Sequence, residues 1–396
     1  MYNGRLERLG EGPFQRLRVL LAEVDPPKGL DEIIMSIGEP RHPYPEFVGN
    51  VVDSARDSWG IYPPTTGTPE YRAACAAWTG RRYCLPDGAL DPDRHIVPLC
   101  GTREGLFLIA LTVVPETRAG GTPLVLIPNP FYHCYAGAAV AAGGEPRYLP
   151  ATRDNGFLPD FSALSEAELE RTALVYLCSP ANPQGSVANL DYLKRLVELA
   201  RAYDFVAVVD ECYAEIYLDK PPPGVLEACS ALGDGFDNVL AFHSLSKRSS
   251  APGLRCGFAA GDTNLVERFI AFRNYGSAQV PLPVYAAGTA LWSDEEHVDA
   301  NRARYREKFD LAGDLLGERY GYSRPPGAFF LWLDTGDGEE AARELWAKGR
   351  VRVLPGSYLT RDVEGEPNPG AAYIRVALVD DLETTRDALT RITAIL

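Results

Sequence analysis

The sequence predicts an α/β protein, with a large domain on a mainly parallel sheet covered by helices on both faces and a smaller α/β domain beside it. Three observations carry this expectation. In the middle of the chain, short apolar runs alternate with longer amphipathic stretches, the pattern of strand–helix–strand crossovers. After about Pro283 the rhythm changes to a mixed order with fewer strands. The 396 residues also exceed one small core, at roughly 100–200 residues per domain.

Taken in order, His95–Val97, Pro123–Ile127, Thr172–Leu177, Phe205–Val209, Val239–Phe242 and Cys256–Ala260 read as strands. Gly101–Val114, His133–Ala142 and Asn189–Ala202 read as the helices between them. Beyond Pro283, a long helix is expected over Asp294–Arg319, a strand at Phe329–Leu333 and a helix near Glu339–Lys348. Strands at Val351–Leu354 and Tyr373–Ala377 and a closing helix from Asp381 complete the pattern. The segment before about Pro45 has no sheet pattern of its own and is expected to pack with this second part. The expected division is therefore 46–283 for the large domain, with 1–45 and 284–396 forming the small one.

Composition narrows the function. The net charge of −15 and pI of about 4.9 repel phosphate backbones and anionic lipid, which argues against nucleic acid or membrane as partner. Eight scattered cysteines form no C-x-x-C pair and read as reduced, mostly buried thiols. Met1–Arg5 leads into Arg- and Glu-bearing sequence without an apolar signal core, and the longest largely apolar run, Leu106–Val114, is too short to span a bilayer. A cytoplasmic protein is expected. The five histidines are too dispersed for a metal site. No G-x-G-x-x-G, G-x-x-x-x-G-K-[ST], H-E-x-x-H or G-x-S-x-G occurs; the nearest approach, Gly336-x-Gly338-x-x-Ala341, is ringed by acidic residues that would repel a pyrophosphate.

Three strand ends carry candidate chemistry. Ser244-Leu245-Ser246-Lys247 follows an apolar run, so Lys247 lies just past the carboxyl end of a strand, where α/β sheets place ligands. Lys247 there is either a surface lysine or a desolvated amine fit for Schiff-base chemistry. Asp210, ending Val206–Asp210, is either a structural cap or a carboxylate able to hold a pyridine nitrogen protonated, with Tyr213 three residues on to reach a ring hydroxyl. In Ser179-Pro180-Ala181-Asn182-Pro183-Gln184-Gly185 a rigid turn presents Asn182 at the same sheet edge. Gly101-Thr102-Arg103 opens a helix, and with Ser244 and Arg255 it supplies donors of the kind a phosphate needs.

Read in order, Tyr62…Gly67, Gly101-Thr102, Pro130-Phe131-Tyr132, Asn182-Pro183-x-Gly185, Asp210-x-x-Tyr213, Ser244-x-x-Lys247, Arg255 and Arg375 resemble the fold-type I (class I/II) aminotransferases over essentially the whole chain. The resemblance implies a mainly parallel seven-stranded sheet, pyridoxal 5'-phosphate as cofactor and amino-acid and 2-oxo-acid substrates. It implies that Lys247 carries the cofactor and shuttles the proton, that Asp210 pairs with the ring nitrogen, and that Asn182 and Tyr213 contact the ring oxygen. Ser244, Arg255, Gly101, Thr102 and Arg103 are then expected around the phosphate, Tyr132 on the ring, and Arg375 on the substrate α-carboxylate, with Gly38 approaching the substrate. Tyr62 is expected to reach the phosphate of a neighbouring subunit, which implies a homodimer. Ser36–His42, Asn129–Tyr132, Asp210–Tyr217, Ser244–Ser249 and Val353–Ser357 are similar, more closely, to the bacterial N-succinyldiaminopimelate aminotransferases, which exchange an amino group with glutamate and 2-oxoglutarate on the route to diaminopimelate and lysine. The alternatives on the same scaffold are an aspartate, aromatic or kynurenine aminotransferase or a pyridoxal-phosphate lyase. A non-catalytic regulator of this fold would carry a DNA-binding domain for which the chain has neither room nor basic charge.

Overall fold

The computed structural model of the chain describes residues 3–233 and 235–396. The expected central strands form one seven-stranded sheet: β1 (Ile96–Leu99), β2 (Leu124–Asn129), β3 (Glu145–Pro150), β4 (Thr172–Cys178), β5 (Val206–Asp210), β6 (Val239–Ser244) and β7 (Gly257–Gly261), in the order β1-β7-β6-β5-β4-β2-β3. From β6 to β3 every neighbouring pair is parallel, while β7 runs antiparallel to both β1 and β6. All residues of β2, β4, β5 and β6 are buried. A sheet covered on both faces requires this, and it explains why these strands read as unbroken apolar runs. The covering helices Thr102–Val113, Cys134–Ala141 and Leu190–Ala202 agree with expectation to within one residue at each end.

One strand escaped the sequence. β3 (EPRYLP) has two prolines and is half-exposed. It lies at the sheet edge, where missing N–H donors are tolerated and no apolar run is required.

A second core gathers Leu17 and Met35 with Phe309, Leu345, Ile374 and Leu389. Around it stand helices Glu296–Leu316, Gly338–Gly349 and Leu382–Ile395 and an antiparallel sheet of β8 (Phe330–Asp334), β9 (Leu354–Pro355) and β10 (Tyr373–Ala377), ordered β9-β10-β8. Of the segment before Pro45, Leu17, Leu20, Leu21, Ile33 and Met35 pack here while Gly4–Arg8 lies against helix Cys134–Ala141, and Ile33–Ile34 also supplies a strand that pairs in parallel with Val351–Arg352. The single strand expected at Val351–Leu354 is thus two short ones serving different partners. The long helix ends at Leu316, where Gly317 adopts φ of 55° and leaves the helix. Val284, Tyr285, Ala287, Leu291 and Trp292 of helix Leu282–Ser293 belong to the first core, so membership of the cores changes after that helix rather than at Pro283. Among the described residues no helix is long and apolar enough to cross a membrane.

Candidate active site

At the carboxyl edge of the main sheet, neighbouring strands end on Cys178 (β4), Asp210 (β5) and Ser244 (β6). They open onto a cavity of about 430 Å³. Of the residues singled out in the sequence, Gly38, Thr102, Arg103, Tyr132, Asn182, Asp210, Tyr213, Ser244, Lys247, Arg255 and Arg375 all line it. They come from eight separate stretches of chain, and the sheet edge is what brings most of them together.

Asp210 is 3% exposed and forms no ion pair among the described residues. The Tyr135 hydroxyl donates to its Oδ2 at 2.8 Å and the Cys212 backbone N–H to its Oδ1 at 3.3 Å. Burial nevertheless pushes the carboxyl above its ordinary value, against these hydrogen bonds. A buried carboxylate that faces a cavity and forms no ion pair among the described residues can take a cationic ligand atom. The Lys247 ammonium donates to the Gly38 carbonyl at 2.6 Å, and burial lowers it from 10.5 to about 8, opposed by Cys212 and Glu39. An amine so tuned is neutral far more often than an ordinary lysine, as a nucleophile must be. Gly38 allows this approach: a Cβ there would stand 2.7 Å from the Phe330 ring.

Arg375, on β10, is buried and has no carboxylate partner among the described residues. Its Nη1 donates to Asn182 Oδ1 at 2.9 Å and its Nη2 to the Ser36 carbonyl at 2.7 Å, its Nε has no partner, and the guanidinium stacks 4.6 Å from the centre of the Phe330 ring. Burial lowers it to about 10. Asn182 therefore touches Arg375 as well as the cavity. The turn that presents Asn182 closes through a Gly185 N–H to Ala181 carbonyl bond, with Gly185 at φ of 75° packed against Pro325.

Opposite these groups lies a cluster of donors. Helix Thr102–Val113 starts at Gly101 with φ of 77°, and its first-turn N–H groups have no acceptor within the helix. Arg255 packs against Gly101 so closely that a Cβ would fall 2.3 Å from its Nη2, and it donates to the Cys100 carbonyl at 3.1 Å and the Pro252 carbonyl at 3.0 Å. The Ser244 hydroxyl accepts from the Ser246 N–H at 3.1 Å and caps the short helix carrying Lys247. A helix start, two serines and an arginine fit a phosphate. Arg103 donates from Nε to the Tyr132 hydroxyl, and burial pushes that phenol to about 12.

Two expected residues stand apart. Gly101 supports Arg255 without lining the cavity, and Tyr62 is 99% exposed and touches no part of its own chain's site. Sequence reasoning missed Tyr135, His133, Cys178 and Glu39. Tyr135 lies 75 residues from the carboxylate it holds, and no local pattern signals such a bond.

The donor set fits pyridoxal 5'-phosphate. A buried carboxylate with no ion pair among the described residues suits a ring nitrogen, a desolvated lysine suits an aldehyde, and the helix start with Arg255 suits the phosphate. Known proteins agree with this chemistry. The family "Aminotransferase class I and II" matches residues 31–392. An LL-diaminopimelate aminotransferase from Desulforudis audaxviator is 32% identical over 407 residues, covering 98% of each chain. The crystal structure of an aminotransferase from Neisseria meningitidis superposes with a TM-score of 0.94 at 40% identity and 99% coverage of both chains. A probable N-succinyldiaminopimelate aminotransferase from Thermus thermophilus superposes with a TM-score of 0.83 at 25% identity, covering 96% of this chain and 98% of that one. Matched across nearly its whole length, the chain belongs to the class I and II aminotransferases, enzymes that work with pyridoxal 5'-phosphate.

Proposed function

We propose that this aminotransferase moves the amino group between N-succinyl-LL-diaminopimelate and 2-oxoglutarate, with glutamate as donor in the biosynthetic direction, on the route to diaminopimelate and lysine. The observation that carries the amino-acid half of this reading is Arg375: a buried guanidinium at the cavity, its planar fork matched to an α-carboxylate, with no carboxylate paired to it among the described residues. The succinylated substrate is supported by the motif resemblance and by the name of the Thermus structure. The name of the Desulforudis relative favours a second reading, free LL-diaminopimelate at the same site.

Bound pyridoxal phosphate supplies an electron sink for the pair left on the substrate Cα when its proton departs. In our reading Asp210 keeps the ring nitrogen protonated, with Tyr135 and Cys212 orienting the carboxylate. Asn182 and Tyr213 would bind the ring oxygen, Tyr132 would pack on the ring, and Ser244, Arg255 and the helix start at Gly101, Thr102 and Arg103 would hold the phosphate. Lys247 attaches the cofactor and then carries the proton between Cα and the cofactor's C4' atom, a role its lowered pKa suits. Gly38, at the cavity beside Lys247, would approach the substrate, and the lack of a side chain lets it pass close to the Phe330 ring. Arg375 grips the α-carboxylate and fixes Cα within reach. Tyr62, exposed on its own chain, would serve a second copy in a homodimer. A cofactor-binding domain that begins near residue 46 and runs through helix Leu282–Ser293, with a small domain built on the second core, goes with this reading.

The test is the visible absorbance of the holoenzyme on adding single donors. Bleaching by glutamate and by N-succinyl-LL-diaminopimelate, reversed by 2-oxoglutarate, is expected, with no turnover in Lys247→Ala. Bleaching by aspartate or aromatic donors but by neither diaminopimelate compound would overturn the substrate assignment.

A further inference from the structure

A second cavity, of about 390 Å³, adjoins the first, and Pro13 and His133 line both. Its size is that of a small-molecule site. Arg361 lines it and is tied to the main sheet. The Arg361 backbone N–H donates to Asn129 Oδ1 at 3.1 Å, and its carbonyl accepts from Asn129 Nδ2 at 2.9 Å. Asn129 is the buried last residue of β2, at the same sheet edge as Asp210 and Ser244. The side chain is fixed too: Nη1 donates to the Thr360 carbonyl and Nη2 to the Leu9 carbonyl, each at 3.0 Å, and the guanidinium lies 5.6 Å from the centre of the Phe131 ring. Leu359, two residues before it, lines the first cavity.

These partners are all neutral. The chain carries a net charge of −15, and among the described residues 13 arginines pair with carboxylates while Arg103, Arg361 and Arg375 form no ion pair. The second cavity is also lined by Arg8, Glu11 and Asp362, of which Glu11 accepts from Gln15 and Asp362 from Asn368. At the junction, three guanidiniums without an ion pair among the described residues, those of Arg103, Arg361 and Arg375, lie close to His133.

We propose that the second cavity receives the side chain of the amino-acid substrate and that Arg361 binds a carboxylate at its far end, while Arg375 holds the α-carboxylate. This rests on the assignment of Arg375 above and narrows the substrate that exchanges its amino group with glutamate to amino acids with a long side chain ending in a carboxylate. His133 between the cavities agrees: burial and then Arg103, Arg361 and Arg375 lower it to about 4, so it stays neutral and offers hydrogen bonds without adding charge. Arg361 is planar and pre-oriented, so an incoming carboxylate finds its donors already fixed.

The experiment compares two donors of equal chain length on the holoenzyme, 2-aminopimelate and 2-aminoheptanoate, which differ in the distal carboxylate alone. The wild type is expected to prefer the diacid. Arg361→Gln should lose about 10- to 100-fold in kcat/KM on the diacid, chiefly through KM, and change less than about twofold on the neutral chain, while Arg361→Lys retains most of the preference. Equal losses on both donors would assign Arg361 a structural role as the clasp of Leu9 and overturn the proposal. So would a wild type without preference, or an Arg361→Gln variant unchanged on the diacid. If the diacid preference and its loss are found but N-succinyl-LL-diaminopimelate is no donor, the side-chain pocket stands and the proposed substrate falls. If the succinylated compound is turned over equally well by wild type and Arg361→Gln, the pocket falls and the substrate stands.

Discussion

Asp210→Asn isolates the electrostatic contribution of the site from its shape. The substitution keeps volume, and an amide oxygen still accepts the Tyr135 hydroxyl now at 2.8 Å, so packing around the 3%-exposed side chain is preserved. What is lost is the negative charge. Among the described residues no other carboxylate hydrogen-bonds into that position, so nothing compensates. Breaking a buried ion pair by neutralising one partner costs about 3–5 kcal/mol. Taking about 3 kcal/mol of this as lost in the transition state, where the ring must hold its proton most firmly, gives a fall of roughly 150-fold at 1.36 kcal/mol per tenfold. The assay is stopped-flow bleaching of the visible absorbance on mixing holoenzyme with glutamate, at cofactor concentrations shown by titration to saturate the variant. A half-reaction rate within about threefold of wild type would refute the reasoning, because it would mean that the carboxylate's charge does not act on the ring.

Other consequences of the geometry are open to measurement. Folded cofactor-free protein disfavours the Lys247 ammonium, lowered to about 8 from 10.5, so below about pH 8 it carries a buried charge whose penalty disappears as pH rises toward 10.5. Lys247→Met should therefore raise the thermal midpoint of the cofactor-free protein at pH 7 and leave it unchanged near pH 10; a lowered midpoint at pH 7 would contradict this. Asn301 donates to the carbonyls of Lys247 and Arg248, each at 3.2 Å, and its Oδ1 accepts from His42 Nδ1 at 2.8 Å, leaving His42 Nε2 to accept from Lys308 Nζ at 2.6 Å. Asn301→Leu strands these buried groups and should cost about 2–4 kcal/mol in urea unfolding, with equal stability counting against it. Gly101→Ala meets both a positive φ and the Arg255 guanidinium, so cofactor affinity measured by titration should drop about tenfold or more while kcat at saturation changes little. An unchanged affinity would show that the Gly101–Arg255 contact does not shape the phosphate site.

Much of the site was legible in the chain because strand ends have local signatures. A buried parallel strand reads as an apolar run, and the first polar residue after it lies at the carboxyl edge whatever the rest of the fold does. Asp210, Lys247 and Asn182 were each found that way, and the order of the motifs supplied the family. Arg375 carries no such local signature, and it came from the resemblance alone.

What the sequence determined by itself was therefore the α/β class, the strands that face helices on both sides and the polar residues at their ends, since burial imposes a period that local composition records. Only the tertiary structure decided which distant groups meet: Tyr135 on Asp210, Arg375 on Asn182, Asn301 beneath Lys247, and Arg361 in a cavity beside the first. It also decided that edge strand β3 forms despite its prolines, that Val351–Pro355 divides between two sheets, and that helix Leu282–Ser293 belongs to the first core. Periodicity tells which face of an element is buried but not what covers it, and a hydrogen bond across 75 or 193 residues leaves no trace in the spacing of either partner.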